Sequence, residues 1–334
     1  MRYAVGYFDH DERERSFVDT LECFQGHLAE VYFPWPGMGT CRTAPQGPYA
    51  FERMTEALSV AKEMGISLDL LINANCYGGR AISKALEKTI VQSVEDVYRR
   101  AGGLDVVTTT SLAAAHVVKK HFQSLRVRAS INMQLRHERA FEPLLELFDE
   151  FYLPREFNHD FEAIDRIKGF LGEKKLFALA NSGCMPWCPG QIFHDNLVAH
   201  EEEVSQTRNM EGFVPYVCWE YYRKQPHMLM QGTWIRPEDM ARYESRFSMM
   251  KLATRINERP FRVIKAYVEG CFRGNLLNLM EPDHSAVLNG AVLDNAAFPK
   301  DWEDDRQDSH QWYRELYKQV LLRNELPAHI RHDS

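Results

Sequence analysis

Cys184 and Cys188 stand in the run Asn181-Ser-Gly-Cys184-Met-Pro-Trp-Cys188-Pro-Gly190, a C-x3-C pair on a turn rich in Gly and Pro. Two thiolates so spaced can grip one metal centre while the backbone bends around it, and Pro189 sits where a proline trails a cluster cysteine. Zinc would accept the same pair together with a histidine, which makes His194 a competing ligand. His194 and His200 are six positions apart, so they are not the i, i+4 pair of a zinc-protease helix. The residues alone leave an iron–sulfur cluster, zinc or no metal open, with the cluster the leading reading.

Arg155 and Glu156 pair a guanidinium with a carboxylate and could bind an acidic group and move a proton, or merely pair with each other. With His194, they are the catalytic candidates. Asn73, Asn132, Lys251 and Arg255 are candidate substrate contacts, the last two for an anionic ligand. The loop Cys76-Tyr-Gly-Gly-Arg80 adds Arg80, and its glycines permit close backbone approach to a ligand. Asp195 reads as a helix cap. A peptidase finds little here: there is no GxSxG elbow and no HExxH helix, although a Cys–His nucleophile assembled in space stays open.

These residues need a scaffold, and the chain supplies a regular one. β-type runs alternate with helical patterns from Arg2–Phe8 onward. Later strands are expected at 30–33, 68–72, 104–107, 126–132, 151–153, 176–180 and 249–253. Helices are expected at 16–28, 51–64, 83–98, 112–122, 138–148, around 161–171 and from Pro260, a residue suited to a first turn, to about 272. Eight strand–helix units predict an α/β fold of the (β/α)8 TIM-like barrel type. A doubly wound open sheet is the competitor, but neither GxGxxG after the first strand nor GxxxxGK[ST] occurs. The exception to the regular spacing is Asn181–Ser248, an insertion between strands seven and eight on the face where such barrels carry their sites. One barrel over 1–278 with a tail at 279–334 packing on it follows, the aromatic stretch Asp301–Leu326 forming an outer helix.

On this map the seven cysteines divide. Cys23 and Cys271 fall inside helices and should only pack. Cys41, Cys76, Cys184, Cys188 and Cys218 fall after strands two, three and seven or inside the insertion, so they can converge on one face. An odd count along a long chain argues against a secreted disulfide framework and for reduced thiols. The N-terminus lacks a signal peptide's apolar stretch, and the apolar runs are too short to cross a bilayer, which predicts a soluble, cytoplasmic protein. Hydrophobic residues make up 45% and charged residues 26%, as in a folded globular chain. A net charge of −7 offers no broad nucleic-acid surface.

From Arg2 to about Asn278 the chain resembles the collagenase-like U32 peptidase family, whose members are barrels of this kind. The likeness lies in the loop Ala29-Glu-Val-Tyr-Phe-Pro-Trp-Pro-Gly-Met-Gly-Thr-Cys41-Arg42 and in Tyr152-Leu-Pro-Arg155-Glu156. It continues in the block Asn181–Asn196, in Ile235-Arg-Pro-Glu-Asp239 and in Met250-Lys251-Leu-Ala-Thr-Arg255. The resemblance implies a [4Fe–4S] cluster on Cys41, Cys184, Cys188 and Cys218, with Cys76 in reserve. The last motif lacks the glutamate and glycine common elsewhere, so no role for that glutamate carries over.

Related proteins of the iron–sulfur branch imply a redox enzyme for oxygen-independent hydroxylation, or a related modification, of a small molecule, RNA or peptide. The alternatives are a peptidase-like or zinc-dependent hydrolase and a non-catalytic subunit paired with a second barrel protein.

Overall fold

The computed structural model describes residues 1–9, 15–40 and 47–322; Cys41 lies outside them. Eight parallel strands close into a barrel: β1 Tyr3–Gly6, β2 Leu28–Phe33, β3 Ser67–Ile72, β4 Val106–Thr109, β5 Arg126–Ala129, β6 Glu150–Tyr152, β7 Lys175–Leu179 and β8 Met250–Leu252. The ring shuts where Tyr3, Ala4 and Val5 pair with Met250, Lys251 and Leu252. Helices α1 Phe17–Phe24, α2 Pro48–Glu63, α3 Lys84–Ala101, α4 Leu112–His121, α5 Glu138–Phe141 and α6 Phe161–Leu171 follow the first six strands. The (β/α)8 expectation holds.

Local chemistry sets the helix ends. Ser16 caps α1 and exchanges hydrogen bonds with Asp19, and Ser83, Ser111 and Asp160 each accept a backbone N–H at the start of α3, α4 and α6. The helix expected over 138–148 is cut short: α5 stops at Phe141 and a 3-10 turn, Glu142–Leu144, carries Pro143. A proline lacks the N–H for the next turn and disfavours helical geometry before it. Strand β5 also ends early, at Ala129; Ser130 then caps a 3-10 turn, Ile131–Met133, which carries Asn132 to the mouth.

Between β7 and β8 the insertion forms α7 Gln191–Ala199, α8 Glu201–Ser205 and α9 Val217–Lys224, then 3-10 turns at Pro226–Gln231 and Pro237–Tyr243. After β8 come α10 Pro260–Glu269, with Pro260 in its first turn, a short antiparallel pair β9 Val292–Leu293 and β10 Leu321–Leu322, and α11 His310–Val320. The tail grips the insertion more than the barrel helices. Trp302 stacks on Trp234 with centroids 5.4 Å apart, its Nε1 donates to Asp239 Oδ2 at 2.9 Å, and α11 packs on Pro226–Gln231. The tail also crosses the mouth, because Glu281 pairs with the chain leaving β7: its N–H donates to the Asn181 carbonyl at 3.0 Å and its carbonyl accepts from Gly183 at 3.1 Å.

Among the described residues no helix is long and apolar enough to cross a membrane. The strands are apolar toward the helices, as parallel strands covered on both faces should be. Inside the ring, however, Glu30, Asp69, Arg128 and Glu150 are all buried among Tyr32, Tyr152 and Phe177. That charged interior forms the floor of the site.

Candidate active site at the barrel mouth

The cysteine loop is built by Asn181, fully buried just after β7. Its amide donates to the carbonyls of Ala253 at 2.8 Å and Leu279 at 2.9 Å, and its oxygen accepts from the Ala253 N–H at 2.6 Å. One side chain thus ties β7, the exit of β8 and the tail together. Gly183 lies under Pro282, whose carbonyl oxygen would overlap any Cβ there. Trp187 adopts a φ of 54°, which turns the chain between the two cysteines, and its ring packs edge-on to Phe157.

A cavity of about 340 Å³ opens over the barrel mouth. Cys184, Cys188 and Cys218 all line it, as do Asn73, Asn132, Arg155, His194, Lys251 and Arg255. Arg155 is the hinge between thiols and amides: Nη1 donates to Cys184 Sγ at 2.8 Å and Nη2 to Asn132 Oδ1 at 3.1 Å. Its Nε is buried without a hydrogen-bond partner among the described residues. Burial works against the guanidinium charge, but the charges of Cys184, Asp195 and Glu156 outweigh it and hold its pKa above the usual value.

The cavity thiols act on one another through their charges. Burial raises the pKa of Cys188, and the Cys184 charge adds to it. Burial pushes Cys218 up to about 11, with Cys184 and Cys188 adding to the rise. Tyr222, on α9, is buried; its hydroxyl has no hydrogen-bond partner among the described residues and feels the charges of Cys218, Cys184 and Cys188. Three thiols that repel as thiolates, with an orphan donor beside them, suit a cationic centre that would take up their charge. Among the described residues no three His, Cys, Asp or Glu side chains are grouped so as to hold a single metal ion.

Lys251 stands on the floor with Nζ 3.8 Å from the Tyr32 ring centroid and 5.2 Å from that of Tyr152. Burial lowers its pKa to about 8, against the pull of Asp69 and Glu30. Beneath it Arg128 binds Glu30 through both terminal nitrogens, at 2.6 and 2.7 Å, donates from Nε to Glu150 at 2.8 Å and reaches Asp69 at 3.3 Å. Asp69 accepts from the Thr108 hydroxyl at 2.7 Å. Burial and the Glu30 charge push Asp69 up to about 7, in spite of Arg128 and Lys251. Sequence reasoning missed this network. Its signal was there: charges at Glu30, Asp69, Arg128 and Glu150 inside short, largely buried strands.

Arg255 reaches the mouth because β1 ends in Gly6, where a Cβ would run into both the Arg255 side chain and the Tyr32 ring. His194 packs edge-on to Tyr216 at 4.9 Å. Asp195 is no cap: α7 begins at Gln191, and Asp195 instead accepts from Asn75 Nδ2 at 3.2 Å and lines the cavity.

Three expected members lie elsewhere. Glu156 turns away from Arg155 on the tight turn Arg155–Phe157 and pairs with Arg136 at 2.8 Å, buried beside a separate depression. It therefore does not face the cavity with Arg155. Arg80 is exposed on the turn Gly78–Arg80 and borders a different surface depression with Asp96, Arg99 and Val198. Cys76 is not among the cavity residues; its sulphur accepts from the Gly78 N–H at 3.3 Å.

No family model matches the chain. The uncharacterized protease MJ1657 of Methanocaldococcus jannaschii is 25% identical over 280 residues, which cover 80% of this chain and 81% of that protein. The solved structure of the U32 peptidase Mk0906 aligns with a TM-score of 0.53 at 17% identity, covering 76% of this chain and 92% of that one. The second likeness is one of fold. Together the two support the resemblance to U32 peptidases, while the iron–sulfur branch rests on other arguments.

Proposed function

We propose that this protein is an iron–sulfur enzyme of the U32-peptidase-like barrels, carrying out a redox modification such as oxygen-independent hydroxylation on a group bound at the barrel mouth. The observation that carries the reading is the convergence of Cys184, Cys188 and Cys218 on one cavity, with Arg155 hydrogen-bonded to Cys184. A [4Fe–4S] cluster would be held by these three residues and, by the resemblance, Cys41. When bound, it would supply electron transfer or, with one iron left open, substrate activation.

The chain's own groups do the rest. Arg155 donates to the Cys184 sulphur and orients the Asn132 amide. Asn73 and Asn132 offer hydrogen bonds to a polar substrate edge, and the apolar wall of Leu71, Ile131, Leu179 and Met185 excludes water from the other. Lys251 Nζ, with its pKa lowered to about 8, can hold or release a proton near neutral pH at the cavity floor. A cavity of about 340 Å³ admits a small molecule, or one base or side chain presented by an RNA or peptide.

Anaerobic purification followed by iron and sulfide analysis tests this reading. Brown protein absorbing near about 400 nm is expected, with the colour lost in Cys184→Ala, Cys188→Ala and Cys218→Ala but kept in Cys23→Ala. Colourless, iron-free protein after anaerobic reconstitution would sink it. The printed names of both relatives favour a second reading, a hydrolase. Zinc bound without iron, with peptide cleavage stopped by a chelator, would install that reading instead.

A further inference from the structure

Lys251, in the middle of β8, is half-buried and lines the cavity with Tyr32, Leu71 and Leu179. Among the described residues its Nζ makes neither a hydrogen bond nor an ion pair; its neighbours are aromatic faces, with the ring centroids of Tyr32 and Tyr152 at 3.8 and 5.2 Å. The carboxylates of the floor are turned to other cations. Glu30 is bound at both oxygens by Arg128, and Glu150 is shared between Arg126 at 2.6 Å and Arg128 at 2.8 Å. Asp69 gives Oδ2 to Arg128 and to the Thr108 hydroxyl, while its Oδ1 is buried with no hydrogen-bond partner among the described residues, so this oxygen does not pair with the lysine either. A counter-ion role therefore does not account for a lysine at the cavity floor.

An amine that is desolvated, unpaired and reachable from a pocket is suited to attack a carbonyl carbon. We infer that Lys251 is a nucleophilic amine that forms an iminium with a small aldehyde or ketone bound in the cavity. The Nζ lone pair attacks the carbonyl carbon as the C=O π pair moves to oxygen, and a proton passes from nitrogen to that oxygen. The carbinolamine hydroxyl then takes a second proton from solvent and leaves as water while the nitrogen pair closes C=N⁺. Carbon keeps its oxidation level, so no oxidant or reductant is needed. The step goes beyond the redox reading, since it runs without a metal.

The surroundings fit each stage. Burial lowers the Lys251 pKa to about 8, with Asp69 and Glu30 acting against it and Arg128 and Arg255 acting with it. Part of the amine is then uncharged near neutral pH, whereas an ordinary lysine, titrating at about 10.4, is almost wholly protonated there. Leu71, Ile131, Leu179 and Met185 wall the cavity with apolar surface, which works against return of the expelled water. Asn73 and Asn132 line the same space and offer amide groups to the carbonyl oxygen. A volume of about 340 Å³ suits a small carbonyl compound.

The test treats full-length, anaerobically purified protein at neutral pH with butanone or with pyruvate, reduces it with sodium borohydride and maps the modified lysines by mass spectrometry. Hydride adds to the iminium carbon and leaves a stable secondary amine at the lysine that formed it. The exposed Lys265 serves as the reference amine. Lys251 should be labelled about tenfold faster than Lys265, by pyruvate if the site takes an anionic carbonyl compound and by butanone if it takes a neutral one. Lys251→Met should lose that label and keep the labelling of Lys265; should the variant fail to fold, the modified peptide of the wild type decides the matter alone. Equal labelling at the two positions, or none at Lys251 with either probe, would overturn the inference. Labelling of Lys251 supports it whatever the iron content, whereas iron-free protein after reconstitution would sink the cluster reading alone.

Discussion

The Arg155 guanidinium donates to the Cys184 sulphur at 2.8 Å and to the Asn132 amide oxygen at 3.1 Å, joining the cysteine loop of the insertion to the exit of β5 across the mouth. Removing it should loosen the hold on Cys184. Arg155→Ala is expected to speed iron loss to a chelator about tenfold or more, a hydrogen bond to a charged group being worth about 1.5–3 kcal/mol. Arg155→Lys should recover only part, because an ammonium cannot reproduce the fork that spans both partners. Unchanged iron release in Arg155→Ala would contradict the role assigned to this contact.

Tyr222 offers a sharper probe, since its hydroxyl is buried and unpartnered beside the three thiols. In metal-free protein Tyr222→Phe should be neutral or slightly stabilising, because an unsatisfied polar group is removed. In iron-loaded protein the same change should lower the reduction potential, because a hydrogen bond toward the cluster sulphur is lost. Redox titration of both proteins decides it; identical potentials would mean that the hydroxyl makes no such bond.

The Asp69 carboxyl is pushed up to about 7, whereas in an unfolded chain it titrates near about 4. Between those values the folded protein keeps a proton that the unfolded chain has released, so the contribution is full below about pH 4 and lost as pH rises toward 7. Lys251 works the other way at higher pH: its folded pKa of about 8 lies below the unfolded value, so stability returns as pH climbs above 8. Urea unfolding of wild type and Asp69→Asn from pH 5 to 8 should show the variant gaining on the wild type as pH rises. A constant gap would refute the assignment.

Glu156 should matter to stability and not to the cavity. Glu156→Gln breaks a buried pairing with the half-buried Arg136 and should cost about 1–3 kcal/mol in urea unfolding. Iron content and the absorption spectrum should match wild type. A spectral change would mean that Glu156 reaches the site after all.

Gly183 lies against the Pro282 carbonyl with no room for a methyl group. Gly183→Ala must push the tail or the cysteine loop aside and should cost about 1–3 kcal/mol. Because the loop carries Cys184, iron binding should weaken as well. Gly26→Ala is the control, since nothing stands within 4 Å of a Cβ there.

The barrel was legible because parallel strands covered on both faces leave continuous apolar runs, and serine and aspartate caps punctuate the helices between them. That Cys184, Cys188 and Cys218 face one cavity was legible too, since all lie beyond the C-terminal end of β7. Glu156 was not, because adjacent residues on a tight turn diverge and no periodicity reports which one faces inward. Arg80 failed for a related reason: the loop after β3 runs outward past Tyr77, whose hydroxyl ties back to the Ile72 carbonyl at 2.7 Å. The Asn75–Asp195 hydrogen bond joins positions far apart in sequence, beyond the reach of spacing rules. The interior charges could have been read, since a lone Asp or Arg inside a buried strand needs a partner from another strand.

The pairing of Glu281 with the Asn181–Gly183 segment also sets an order of events during synthesis. All seven cysteines precede residue 281, so they leave the ribosome before the strap that fixes their loop. Domains form as the chain emerges, N-terminal parts first. A nascent chain therefore passes through a stage with its thiols presented and the loop still open. The strap arrives afterwards and closes over the cysteine loop.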